Sequence, residues 1–280
     1  MVQRCPEGAR PQMYNGGPLR HRSNAMPSMP DFSMGFLKQK TGKCLSKLEE
    51  HKMGIITISR GSYSKGKETA ENLARELGYE CVSRDILLEA STHFNIPEVK
   101  LVRAIHDAPS FFDRFQHGKE KYILFIREAF LEHIQKDNVV YHGLAGHFFI
   151  QGIPNILKVR IIANIEDRIK EEMRREKISE KEARYILKKD DDERRKWSMY
   201  LYGIDTKDTS LYDIVLHIDN IKVNDAVEIL TDLAGRPCFQ TTPESLMNIK
   251  DSYLAAKAHA AIFESFPDAE VQCRNSVVNV

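Results

Sequence analysis

The rhythm of apolar positions changes at about residue 55. From there, short β-branched runs alternate with longer stretches in which apolar residues recur every three or four positions. Residues 55–59 read as a buried strand. In 67–77, Ala70, Leu73, Ala74 and Leu77 share one helical face, and Gly78 supplies the stop. Strands are expected at 79–82, 139–142, 157–163 and 212–218. Between and after them, helices are expected at 85–93, at 120–135 (Ile123, Ile126, Phe130 and Ile134 at helical spacing) and at 225–234. Strands that alternate with helices in this way build a parallel sheet covered on both faces, because each right-handed crossover must lay its helix on the sheet. The fold class is therefore α/β, with ligand chemistry expected outside the carboxyl ends of the strands.

Two regions break the alternation. Residues 1–45 hold Pro, Gly, Met, Ser and Arg without a period, a composition that cannot repay its ordering entropy, and a disordered segment is expected there. Between the fourth and fifth strands, from Asp167 to Lys196, charge density rises sharply. Ser179 followed by Glu182 is a capping box, so two charged helices should meet near 177–179 and form a hairpin, a lid at about 165–200. Pro237 and Pro243 then suggest a linker. Residues 241–280 offer one helix and one alternating stretch, too little for a core of their own.

Charge and cysteine content narrow the function classes. The 41 basic and 40 acidic side chains of the 280 residues nearly cancel, so no global field draws in nucleic acid or an anionic membrane. The five cysteines are scattered, without a CxxC pair, and form neither a zinc framework nor a disulfide scaffold. No apolar run approaches the roughly 18 residues of a membrane span, and no secretory h-region is visible. A cytoplasmic protein without nucleic-acid or membrane partners is expected.

The chemistry concentrates at Gly61-Ser62-Tyr63-Ser64-Lys65-Gly66-Lys67-Glu68-Thr69, which satisfies GxxxxGK between a buried strand and a helix. Backbone amides of such a loop and of the helix N-terminus wrap a polyphosphate. Lys67 would reach the β- and γ-phosphates. This is a phosphate-binding loop, and it makes the expected fold a P-loop NTPase three-layer sandwich with a five-stranded parallel sheet and a helical lid. Glu68 occupies the position after the lysine, where the usual loop has a hydroxyl, and Thr69 follows. A hydroxyl serves magnesium without adding charge, so Thr69 is the expected metal ligand and Glu68 should turn outward.

With that loop in place, the chain resembles the cytidylate kinase-like branch of the P-loop nucleoside monophosphate kinases. ITISRGSYSKGKETAENLARELGYECVSRDILLEAS looks like that branch's strand, loop, helix, second strand and acceptor-side loop. VVYHGLAGHFF stands at its third strand and glycine-rich turn, NIEDRIKEEMRRE at the start of its lid, and KKDDDERRKWSMYLYGID with SLYDIVLHID at the return helix and final strand. The likeness spans roughly residues 54–233. It implies an ATP- and magnesium-dependent transfer of a phosphoryl group to a nucleoside monophosphate such as CMP or dCMP. It also implies donor contacts from Gly61, Ser62, Gly66, Lys67 and Thr69. Arg168, Arg174 and Arg175 would be lid arginines, Arg194 and Arg195 would return to the phosphoryl path, and Arg84, Asp85, Asp191 and Arg195 would bind the acceptor. Arg103, His106, Asp107 and Arg114 are further candidates for the acceptor phosphate. The turn near Leu144 is apolar where the family has an arginine and an acid, so two alternatives stay open: a kinase of another small metabolite, or a nucleotide-binding regulatory module without kinase activity. His142 and His147 flank the turn without a third metal ligand nearby in sequence, and Phe111, Phe112 and Phe115 read as packing. The end of the chain resembles the first half of a small BON-type module.

Overall fold

A computed structural model describes residues 54–62, 64–83, 118–143 and 146–280. The helix expected at 85–93 and the N-terminal segment lie outside them. Five strands, β1 (Ile55–Arg60), β2 (Glu80–Ser83), β3 (Val139–His142), β4 (Ile156–Ala163) and β5 (Ile214–Ile218), form one parallel sheet in the order β2-β3-β1-β4-β5. Because β1 lies between β3 and β4, the chain leaves the first strand in one direction and later crosses to its other side. The carboxyl end of β1 is therefore the switch point of the sheet, where a ligand finds a crevice.

Alternation along each strand decides which helix covers it. Ile56 and Ile58 of β1, Val140 of β3 and Leu157, Val159 and Ile161 of β4 form one core with Leu73 and Ala74 of α1 (Gly66–Leu77). Ala226 and Leu230 of α5 (Val223–Ala234) close the same core. Ile55, Val139 and Tyr141 point the other way, onto Ile126, Phe130 and Ile134 of α2 (Gly118–Ile134). Helix α2 is buried on more than one side: Leu124, Phe125 and Leu131 are buried besides the expected face. Helix α1 ends at Gly78, whose left-handed φ of 70° lets its amide and that of Tyr79 turn back onto the helix's last carbonyls.

The lid has the expected break. Helix α3 (Ile165–Glu176) stops at Lys177, and α4 (Glu180–Tyr202) starts from the Ser179–Glu182 capping box. The hairpin is not free-standing. Ile169 packs on Ala183 and Leu187 between the two helices, and Trp197 and Leu201 carry the far end of α4 into the core beneath α2.

The segment read as a linker is ordered in detail. Thr241 donates to the buried Asp137 at 2.9 Å, and α6 (Pro243–Ile262) starts from a Thr242 cap with proline in its first turn. Helix α6 lies against α2 and sets Ile249 and Ala256 into the same core as the sheet. A short antiparallel hairpin, β6 (Gln272–Arg274) with β7 (Val277–Asn279), follows, its turn capped by Asp251, which accepts from the amides of Asn275 and Ser276 at 2.7 Å each.

Since Ile249 is fully buried, Ile249→Ala removes transfer energy and leaves a cavity worth about 2–5 kcal/mol. Denaturant unfolding should show a lower midpoint and a single transition, because the helix shares its core with the sheet.

Candidate functional site

The phosphate loop is built by crowding and by one strained residue. Gly66 opens α1 against the stem of Arg60, and a Cβ there would stand 2.6 Å from Arg60 Cβ, so only glycine fits. Lys65 before it is left-handed, φ 64°, a conformation that costs a non-glycine residue about 1–2 kcal/mol and that lets successive backbone amides face a common concavity. Ser64 donates to the Gly61 carbonyl at 3.1 Å and pins the loop from inside. No side chain caps α1, so its first amides are left for an external anion.

The charged loop residues point outward. Lys67 Nζ lies 3.7 Å from Glu71 with its side chain 65% exposed, and Glu68 pairs with Lys65 at 3.4 Å on the same surface. Such exposed pairs hold by well under about 1 kcal/mol, so little fixes the Lys67 ammonium where it stands. Thr69 differs from the expectation of a metal ligand. It is completely buried, and its hydroxyl donates to the Lys65 carbonyl at 2.9 Å, one helical turn back. Another loop hydroxyl, that of the buried Ser62, lies 3.4 Å from the Asp190 carboxylate.

Opposite the loop, Arg168 ties the lid to it. Its Nε donates to the Ser62 carbonyl at 2.7 Å, and its two terminal nitrogens donate to the two Asp191 oxygens at 2.9 Å each. One buried guanidinium thus joins the loop to both lid helices through charge-assisted bonds. The cleft beside it, about 90 Å³, is lined by Gly61, Arg60, Arg160, Arg194, Arg195 and Lys207 among others. Arg195 donates to Asp205 at 2.7 Å.

Arg174 and Arg175, expected as catalytic lid arginines, lie outside this cleft. Arg174 pairs with Glu171 and Arg175 with Glu176, both well exposed. The inward face of α3 is set by Arg168, Ile169 and Glu172. Arg175 is seven residues beyond Arg168, on the same face but about 10 Å further along the axis, and Arg174 is turned off that face. Tyr63, Arg84, Asp85, Arg103, His106, Asp107, Arg114, the three phenylalanines and Leu144 lie outside the described residues. Among the described residues no cluster of three metal-ligating side chains occurs, and no helix is long and apolar enough to cross a membrane.

The cations missed by sequence reading, above all Arg160, sit in strands or loops. The signal was there: ILKVRIIA places Lys158 and Arg160 two apart in an apolar strand, so both face one side. Arg160 donates to Ser59 at 3.3 Å and to Tyr212 at 3.2 Å. Against Tyr212, 5.0 Å between ring centres, packs His147, itself buried. Burial first, and then Arg160 and Lys158, push the His147 imidazole down to about 3. Gly146 before it lies against the Tyr141 ring, where a Cβ would approach to 2.4 Å.

A family model described as the cytidylate kinase-like family matches residues 55–220. Among curated relatives, a cytidylate kinase of Methanosarcina acetivorans is 38% identical over 100 residues, 35% of this chain and 54% of that one. The chain thus spans about half the length of that relative. A cytidylate kinase of Thermoplasma acidophilum is 29% identical over 170 residues, 60% of this chain and 85% of that one. Among solved structures, an uncharacterized protein from Eubacterium ventriosum shares the fold at a TM-score of 0.51 and 21% identity, over 65% of this chain and 99% of that one.

The buried imidazole has a consequence for stability. Its folded pKa of about 3 lies below the ordinary 6.5. Above pH 6.5 the group is neutral in both states. Below it the unfolded chain takes up a proton that the folded one refuses, so stability falls as pH drops from 6.5 towards 3, by at most about 1.4 kcal/mol per pH unit from this group. In His147→Gln that part of the slope should vanish, measured as the difference in unfolding free energy between the two proteins at pH 7 and pH 5.

Proposed function

The chain belongs to the cytidylate kinase-like family, and from that premise we propose that it moves the terminal phosphoryl group of magnesium-ATP onto the phosphate of a nucleoside monophosphate, cytidylate or its deoxy form. The observation that carries this reading is the meeting, in one cleft, of a phosphate loop with an uncapped helix N-terminus and of arginines from both lid helices and the central strands. An acceptor phosphate monoester has a second pKa of about 6, so its oxygen is already an anion at neutral pH and needs no general base. That oxygen bonds to the γ-phosphorus, the bond from γ-phosphorus to the β,γ-bridging oxygen breaks, and ADP leaves with the electron pair. The protein's task is alignment, positive charge and exclusion of water.

The loop 61–69 holds the donor phosphates through its amides, and Lys67 swings in to follow the moving charge. Arg194 and Arg195 supply positive charge from the return helix. Asp191 orients Arg168, which holds the lid against the loop. The oxygen pair Ser62 and Asp190 fits a magnesium ion, which takes hard oxygen ligands and keeps several waters. Bound there with the nucleotide, the metal would neutralise phosphate charge. Thr69 supports the site from beneath by fixing the Lys65 carbonyl. A cleft of about 90 Å³ is far below the roughly 300 Å³ and more of a small-molecule site, so the lid must open to admit substrates.

Release of ADP from ATP and magnesium, screened against the four nucleoside monophosphates and their deoxy forms, tests the reaction. Turnover with a cytidine nucleotide is expected, and Lys67→Ala should lower it by about a hundredfold or more. ATP binding without turnover on any of the eight acceptors would instead favour a nucleotide-binding regulatory module.

A further inference from the structure

The cations around the cleft are unequally answered. Arg168 has Asp191, Arg195 has Asp205, and Lys158 has Asp213 at 3.1 Å. Arg160 has only neutral partners among the described residues, the hydroxyls of Ser59 and Tyr212 and the face of the Tyr212 ring, 5.5 Å from its guanidinium carbon. Both hydrogen bonds leave from the same nitrogen, Nη1. The Nε–Nη2 edge, which forks onto two oxygens of a phosphate or carboxylate, donates to nothing among the described residues. Tyr212 is itself anchored, donating to the Thr206 carbonyl at 3.0 Å, so the guanidinium is held in place before any ligand arrives.

A half-buried, oriented cation without a counter-charge is costly unless an anion joins it. Its place in the sheet says which one. Val159 and Ile161 belong to the core beneath α1, so Arg160 between them projects from the opposite face. The donor's phosphates are held on the α1 side, by that helix's amides and Lys67. Arg160 reaches the same cleft from the other side, backed by Tyr212, which packs on His147.

We propose that Arg160 binds the phosphate of the acceptor, gripping its monoester dianion through the Nε–Nη2 edge and presenting a third oxygen to the donor. This rests on the reading of the site as a nucleoside monophosphate kinase. Three consequences separate it from a structural role: loss of the fork weakens the nucleotide and not the nucleoside, it spares the donor, and it raises the acceptor KM.

The test titrates CMP and cytidine into the protein loaded with a non-hydrolysable ATP analogue and magnesium. The natural protein should bind CMP much more tightly than cytidine. Arg160→Gln should weaken CMP by about ten- to a hundredfold, leave cytidine unchanged, and leave the ATP analogue within about twofold. Arg160→Lys, which keeps the charge and loses the fork, should fall between and guards against misfolding of the glutamine variant. Steady-state turnover should show the same split, with a raised KM for CMP and an unchanged KM for ATP. Unchanged CMP binding in Arg160→Gln overturns the inference and leaves the kinase reading standing. So does a loss confined to the ATP analogue, which would place Arg160 on the donor. If the natural protein binds none of the monophosphates in the presence of the analogue, the kinase reading itself fails and the inference with it.

Discussion

The buried guanidinium of Arg168 is the contact on which the geometry of the site depends. It touches the phosphate loop, 106 positions away in the chain, through one carbonyl and the return helix of the lid, 23 positions away, through one carboxylate, so three segments are set relative to one another by a single side chain. A planar fork with five donors does this where lysine, a point charge on a flexible stem, could not. The arrangement is also reversible in principle. Asp191 is more exposed than its partner, with side-chain values of 36% against 10%, so water reaches the carboxylate side of this bond between the two lid helices first.

Around this joint five arginines and a lysine line one cleft. Carboxylates answer the arginines that set the lid, while Arg160 is left with hydroxyl groups. The division follows function. Cations that hold the protein together have partners in the protein, and Arg160, proposed above as an acceptor ligand, is oriented by neutral groups that would not compete with an anion. His147 is held neutral for a related reason, since a buried imidazolium would be repelled by Arg160 and Lys158.

Much of the fold could be read from the chain because strands and helices of a covered sheet write their periods into sequence. The starts and ends of β1, α1, β3 and α5 fall within a residue or two of where apolar periodicity and glycine placed them. The loop at 61–69 was equally legible, since its string sits in the only context that makes it meaningful. Failures occurred where one residue type serves two purposes. Pro243 was read as a linker signal, yet with the Thr242 cap it starts a helix. Arg168, Arg174 and Arg175 were grouped together by the family resemblance, while the inward face of α3 singles out Arg168 beside the buried Ile169. The role of Arg160 depends on a neighbour, Tyr212, that sequence spacing could not bring to it.

The seating of α6 on α2 bears on how this protein can be cut. The family match ends at residue 220, and a fragment trimmed to that range would discard both α5 and α6. The sheet would lose the cover that Ala226 and Leu230 provide on one face, and α2 would lose the side that Ile249 and Ala256 shield. Apolar surface bared in this way associates with its own kind. A recombinant fragment of the matched region alone would therefore be a sticky, precipitating species, and the smallest handleable unit reaches at least to the end of α6.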